Sequence, residues 1–384
     1  MKRLVPFAIV AVVAIFAAVV FALIAVPPVV VSQRFEAPPG LSESELWDVA
    51  IRLTGCTRFA DEIHGPEEIE IDESGRIYTG EREGRVLRLT PQADGQYRIE
   101  VLAHTGGHPQ GITLDRQGRL LVSEGYHVSG ARIDGRGGVE RLPELRGGDS
   151  AVSSAGAIYF GAPPDWKRTG DVLIDFAIML LEARPTGELR VLEPGSSESR
   201  VLSSGLIIPD GVALSSNEDF VAVGEVGGFR ISRYWLRGPR AGTTDYLIEG
   251  LPGLPDGVAS DGWGCFFVAL PMLRSALGDL VHRSPWLKDQ LAKILEWATP
   301  PLAGSEDDQQ PGWIAVIAED GTVEAFLVEP DGLAGPGITT AVPHGNDLFL
   351  SSLSGRGIVR CPLPPALRDG TARRKEQGKW IARS

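Results

Sequence analysis

One phrase recurs six times along this chain, and no other feature restricts its fold as much. It reads "GPEEIEIDESGRIYTGE" from Gly65, "HPQGITLDRQGRLLVSE" from His108 and "GDSAVSSAGAIYFGA" from Gly148. It returns as "PDGVALSSNEDFVAVGE" from Pro209, "PDGVASDGWGCFFVAL" from Pro255 and "ITTAVPHGNDLFLSSL" from Ile338. Each copy is a turn, a short alternating strand, a tight Gly or Asx hairpin and a second apolar strand. A lone hairpin cannot bury its apolar face, so such units must stack or close on one another. The starts lie roughly 40 to 60 residues apart, except for a last interval of about 85, and blades of a four-stranded β-propeller have that period. The 47 Gly and 28 Pro fall between the apolar runs, as a turn-rich all-β chain requires. The expected fold is all-β: a six-bladed β-propeller over residues 56–365 with helical inserts, preceded by one N-terminal transmembrane helix.

The long interval holds "SPWLKDQLAKILEWA", within an insert at about residues 271–310. Ser284 is a cap candidate, Pro285 suits the first helical position, and Leu287, Leu291, Ile294, Leu295 and Ala298 repeat at helical spacing. A second helical candidate, "DVLIDFAIMLLEA", starts at Asp171. These inserts suit a lid over a pocket or a contact with the membrane, a packed surface helix being the plain alternative. At the N-terminus no charge interrupts Leu4 to Val26, which exceeds the roughly 20 apolar residues that span a bilayer. The run is longer than a signal-peptide core, and Pro27 and Pro28 follow without a clear small-x-small cleavage site. Residues 1–30 therefore read as a signal anchor with Lys2 and Arg3 on the cytoplasmic side, a cleaved signal peptide being the alternative. Residues 31–55 read as a lead-in, and 366–384 as a basic tail. The propeller is expected on the periplasmic or extracellular side.

That compartment permits disulfides. Cys56 precedes the first phrase and Cys361 follows the last, so a bridge between them would staple a closed ring; three unrelated small hydrophobes are the alternative. The net charge of −13, with no long basic stripe away from the chain ends, excludes a nucleic-acid partner and leaves neutral small molecules and divalent cations. No G-x-S-x-G, H-E-x-x-H, P-loop or C-x-x-C occurs, and the six His are scattered without metal-ligand spacing. What recurs is an acid at the start of the phrase: Glu67, Asp149, Asp210 and Asp256. Equivalent positions on the innermost strands of a propeller ring its channel. Carboxylates so arranged repel one another unless they face solvent or surround a cation. Oxygen ligands from several segments suit Ca²⁺ or a similar divalent ion better than Zn²⁺. The alternative is that each Asp caps its own turn.

Several stretches carry a resemblance. "GPEEIEIDESGRIYTGEREGRVLRL", "RPTGEL" at Arg184, "PDGVALSSNEDFVAVGE", "RYWLRGPRAGTTDYLIEGLPGLPDGVASDG" and "SPWLKDQLAKIL" are similar to the strictosidine synthase-like branch of six-bladed propellers. That branch is akin to paraoxonases and to the senescence marker protein/gluconolactonase family. The resemblance spans about Gly65 to Arg360. It implies a channel Ca²⁺ or similar ion with Glu67, Asp210 and Asp256 as ligands, a Cys56–Cys361 pair, and hydrolysis of lactones or esters.

The chain also departs from the pattern. Gly148 stands where relatives often place an Asn ligand, with Asp149 next to it, so the site is built mainly of carboxylates. Gln110 replaces a second-phrase His used in paraoxonase-type hydrolysis, and an amide cannot act as a base. Strand alternation would place His108, two residues away, on the same face as a further pocket candidate beside Gln110; a turn residue is the equal alternative. Trp166 in "PPDW" is a candidate for the pocket mouth, with a core position as the alternative. Asp256 is the leading candidate base and Asp149 the second. The expected function is a membrane-anchored, metal-dependent hydrolase of lactones or esters. A non-catalytic binding propeller with a structural ion is the alternative. A condensing synthase fits less well, because Ile338 to Pro343 carries no carboxylate.

Overall fold

The computed structural model describes residues 25–124, 130–145, 147–162, 172–298 and 309–368. Six antiparallel sheets follow one another along the chain, each built outward from a short inner strand. Blade I covers residues 69–104, blade II 111–142, blade III 150–206, blade IV 209–249, blade V 258–329 and blade VI 340–362. Each of the six phrases supplies the two innermost strands of one blade. The hairpins between them are fixed by side chains: Asp72 Oδ1 accepts the N–H groups of Ser74 (2.9 Å) and Arg76 (3.0 Å). Asp115 does the same for Gln117 and Arg119, and Asp261 for Trp263 and Cys265. These Asp residues are turn caps of the ordinary kind.

Blade VI takes its outer strand from the other end of the chain. Thr57–His64 pairs antiparallel with Arg356–Pro362, Thr57 opposite Arg360. Next to this pairing, Cys56 and Cys361 form the expected disulfide, with Cα atoms 4.1 Å apart. Cys265 is buried and forms no disulfide. The apolar core lies between blades: Ile63, Phe349 and Ile358 of blade VI pack with Ile69, Ile77, Leu87 and Leu89 of blade I. The lead-in is also structured. A helix at Glu43–Val49, closed by a Ser42–Glu45 capping box, precedes Ile51–Arg52, a fifth strand parallel to Val323–Glu329 in blade V.

The Gly of the repeated Pro-Asp-Gly turn serves the ring. A Cβ on Gly211 would lie 2.1 Å from the carbonyl oxygen of Asp256, so a larger residue would force adjacent inner strands apart. A second recurrence is structural too. The phrases of blades I, II and IV end in Glu81, Glu124 and Glu225, each buried and each paired to an Arg: Arg85, Arg141 and Arg230. Glu225, with no exposure, also accepts the N–H of Ile207 at 2.7 Å and a hydroxyl from Ser232.

A smaller unit gathers residues 25–36, 172–184 and 277–298. Helices occur where the sequence predicts them, at Val172–Glu182 and Pro285–Ala298, with a further one at Ala276–His282. Ser284 Oγ accepts the Leu287 N–H at 3.3 Å, as expected of the cap. The burial of Pro285–Ala298 differs from what its apolar spacing predicts. Lys288, Asp289, Gln290 and Lys293 are buried, whereas Trp286, Ile294 and Trp297 are exposed. Lys288 is accommodated because its Nζ donates to the carbonyls of Gln33 (2.8 Å) and Glu182 (3.3 Å). Among the described residues no helix is long and apolar enough to cross a membrane. All but the end of Leu4–Val26, the tail beyond Arg368 and Trp166 lie outside the described residues.

Candidate functional site

The four predicted acids occupy equivalent places, at or just before an inner strand. Glu67 and Asp256 each stand two residues ahead of theirs, Asp149 stands one ahead, and Asp210 is the second residue of Pro209–Leu214. Each acid raises the proton affinity of others. Burial, then the charges of Asp256, Asp149 and Asp210, push the Glu67 carboxyl well above its ordinary range. Burial, followed by Asp210, does the same for Asp256, and the two side chains share a hydrogen bond. Asp149 is raised to about 7 by burial and by Asp210, and it is hydrogen-bonded to Glu68. A hydrogen bond between two carboxyl groups requires a proton on one of them. The ring therefore relieves its repulsion through shared protons.

Glu67 is held from behind by blade VI. Its carbonyl accepts Thr339 Oγ1 (2.6 Å), Thr340 Oγ1 (3.1 Å) and Ser351 Oγ (3.1 Å). Its own Oε2 is buried and makes no hydrogen bond among the described residues. A buried carboxylate oxygen without a partner is costly unless a proton or cation compensates it. Gly148 explains how Asp210 reaches the cluster, because a Cβ there would lie 1.5 Å from Asp210 Oδ1. The carboxylate of Asp210 thus occupies the space that a side chain at position 148 would fill. Chemically the donors are all hard carboxylate oxygens, which suit a divalent cation of the Ca²⁺ class. As placed, no three acid, His or Cys side chains among the described residues converge closely enough to hold an ion. The acids are instead turned toward one another in the Asp210–Asp256 and Glu68–Asp149 pairs. The donor set fits a divalent cation in exchange for those shared protons.

Two further acids belong here that the sequence reading passed over. Glu68 Oε2 accepts the Ile112 N–H at 2.7 Å, and Glu70 accepts that of Leu114. They reach alternate N–H groups along the inner strand of blade II, on the side away from its pairing with Leu120–Ser123. Burial raises Glu70 to about 8 and carries Glu68 well above its ordinary range. Alternation in "EEIEID" was the available signal, since Ile69 and Ile71 point to the opposite side from Glu68 and Glu70.

The pocket candidates separate. His108 Nε2 lies 3.2 Å from the Gly65 carbonyl, two residues from Glu67, and burial pushes its pKa down. Gln110 stands immediately before the inner strand Gly111–Leu114, and its N–H donates to the Ser123 carbonyl at 2.9 Å. It thus occupies the blade II place equivalent to Asp149 in blade III.

Comparison with known proteins agrees with this architecture. A family model described as strictosidine synthase matches residues 151–239, and one described as strictosidine synthase-like, N-terminal, matches residues 49–89. Strictosidine synthase-like 6 of Arabidopsis thaliana is 30% identical over 314 residues, covering 78% of this chain and 80% of the relative. Adipocyte plasma membrane-associated protein of Gallus gallus is 28% identical over 334 residues, covering 79% and 76%. Among solved structures, a gluconolactonase from Xanthomonas campestris superposes with a TM-score of 0.55 at 17% identity, over 88% of this chain and 99% of that one. The calcium-binding protein regucalcin from Agrobacterium tumefaciens gives 0.53 at 15% identity, over 82% and 95%. At that identity the likeness is one of fold. With the ring of blades, its end-to-end disulfide and a relative 30% identical over most of both sequences, the chain belongs to the strictosidine synthase-like family.

Proposed function

We propose that this protein is a membrane-anchored hydrolase of lactones or esters that works with a divalent cation at the inner-strand acids. The observation carrying the reading is the inner-strand set Glu67, Asp149, Asp210 and Asp256, in which the charges of the Asp residues raise the proton affinity of Glu67, Asp149 and Asp256 while Glu67 Oε2 makes no hydrogen bond among the described residues. Neighbours of the same fold described as a gluconolactonase and as a calcium-binding protein support the substrate class and the ion. The charge-free run Leu4–Val26, and relatives named as plasma membrane-associated, support the anchor.

Glu67, Asp210, Asp256 and Asp149 would hold the ion, which when bound polarises a carbonyl and acidifies water. The remaining work belongs to the chain. Asp256 takes the proton from the attacking water and returns it to the leaving alkoxide, its raised proton affinity making it the stronger base. Asp149, at about 7, is the second group able to exchange a proton there. The hydroxyls of Thr339, Thr340 and Ser351 fix the Glu67 backbone, so its carboxylate enters the site from a rigid support. Gln110 can orient a carbonyl through its amide but cannot accept a proton.

Gln110 also favours a second reading, a binding propeller whose ion is structural. Chelation followed by restoration of Ca²⁺, Mg²⁺, Mn²⁺ or Zn²⁺, with a panel of lactones and aryl esters, separates the two. Hydrolysis requires cation-dependent turnover that Asp256→Asn abolishes while cation binding persists. Cation-dependent stabilisation without turnover assigns the binding module. No cation effect on either turnover or melting refutes both.

A further inference from the structure

The helix Pro285–Ala298 is inverted relative to a helix packed in water. Its buried positions are Lys288, Asp289, Gln290, Ala292 and Lys293, while Trp286 is 63% exposed and Trp297 89%. The preceding helix, Ala276–His282, exposes Leu277 (70%) and Leu280 (58%). An aqueous surface does not select indoles and isobutyl groups outward and lysines inward.

The chain leading out of the anchor is tied to these helices. Val29 donates its N–H to Asp289 Oδ1 at 2.8 Å, Val31 donates to Glu182 Oε1 at 2.8 Å, and the Gln33 carbonyl accepts Lys288 Nζ at 2.8 Å. Alternate residues of this segment are thus gripped by side chains from two helices. The charge-free run ends at Val26, three residues before the first grip, a span of at most about 10 Å. The helices therefore cannot leave the neighbourhood of the membrane surface. Charge does not draw them there, since Asp279, Asp289 and Glu296 balance Arg283, Lys288 and Lys293.

We infer that the helices spanning residues 276–298 lie in the interfacial layer of the bilayer that Leu4–Val26 enters, with Trp286, Trp297, Leu277 and Leu280 among the headgroups and upper acyl chains. Trp is favoured at that depth because its ring is apolar and its N–H polar. The contact is apolar, so it needs no anionic lipid. This inference rests on the anchor reading, and the experiment distinguishes the two failures.

The full-length protein is incorporated into nanodiscs of phosphatidylcholine, with or without bromine high on the acyl chains, and Trp emission is compared. Trp286→Phe, Trp297→Phe and the double variant keep the helix, and unchanged melting verifies the fold. Bromine should quench part of the wild-type emission, and the quenched part should fall by about half or more in the double variant. Raising the salt should leave it unchanged. Protein extracted by alkaline carbonate and absent from the discs overturns the anchor. Protein retained in discs with equal quenching in wild type and double variant overturns the interfacial contact alone. So do discs holding two cross-linked copies whose Trp286 and Trp297 are shielded from bromine, which would assign the surface to a second copy.

Discussion

Replacing Asp149 by Asn tests the shared-proton account without reference to any substrate. In the unfolded chain this carboxyl releases its proton near 3.8, and in the folded protein it keeps it to about 7. A folded-state pKa raised in this way contributes stability that is fully present below the unfolded value and is lost as pH climbs through the folded one. Across that window unfolding releases a proton, so stability falls by about 1.4 kcal/mol per pH unit, or about 4 kcal/mol in all. Asn has no proton to lose. The stability of Asp149→Asn relative to wild type should therefore climb by about that amount between roughly pH 4 and pH 7, then level off. Because Glu68 shares the proton, the climb should spread over the whole window. Urea unfolding in the presence of chelator, at closely spaced pH values for both proteins, measures the difference directly. If the proposed cation site holds, excess Ca²⁺ above pH 7 should stabilise wild type more than the variant, since ionised Asp149 would then serve as one of its ligands. A difference that stays flat with pH, or declines, refutes the argument.

Gly148→Ala places a methyl where Asp210 Oδ1 now lies, so it should sharply reduce the melting-temperature gain from added Ca²⁺ while leaving the β-sheet circular dichroism intact. Removing the bridge in Cys56→Ala/Cys361→Ala frees ends separated by 305 residues and should lower unfolding free energy by about 3–5 kcal/mol, read by chemical denaturation. Cys265→Ala should leave the oxidised protein's response to reductant unchanged, because that buried thiol takes no part in the disulfide.

Much of the ring was legible because a propeller repeats its turn chemistry. Asp72, Asp115 and Asp261 announce hairpins through side-chain bonds that are local in sequence. Glu67, Asp149, Asp210 and Asp256 were legible by their phase relative to those hairpins. Glu68 and Glu70 were marked only by the alternation in "EEIEID", because their partners at Ile112 and Leu114 lie on the next blade. The parallel strand Ile51–Arg52 was hidden for the same reason, as two residues carry no periodicity. The helix Pro285–Ala298 was found by its spacing and its cap. Its buried face was misjudged, because periodicity assumes an aqueous exterior and cannot foresee a lysine held by two carbonyls.

The joining of both chain ends in blade VI imposes an order on biosynthesis. Thr57–His64 is made early, yet its partner Arg356–Pro362 comes nearly the full propeller later. At a synthesis rate of roughly 5–20 residues per second, that strand waits about 15–60 s for its neighbour. Throughout that interval it presents an open edge, the geometry most prone to pairing with the wrong chain. Its exposed Asp61 and Glu62 place charge on that edge. The bond between Cys56 and Cys361 cannot form in register before the sixth blade exists, so its appearance in a pulse-labelled chain times the closing of the circle.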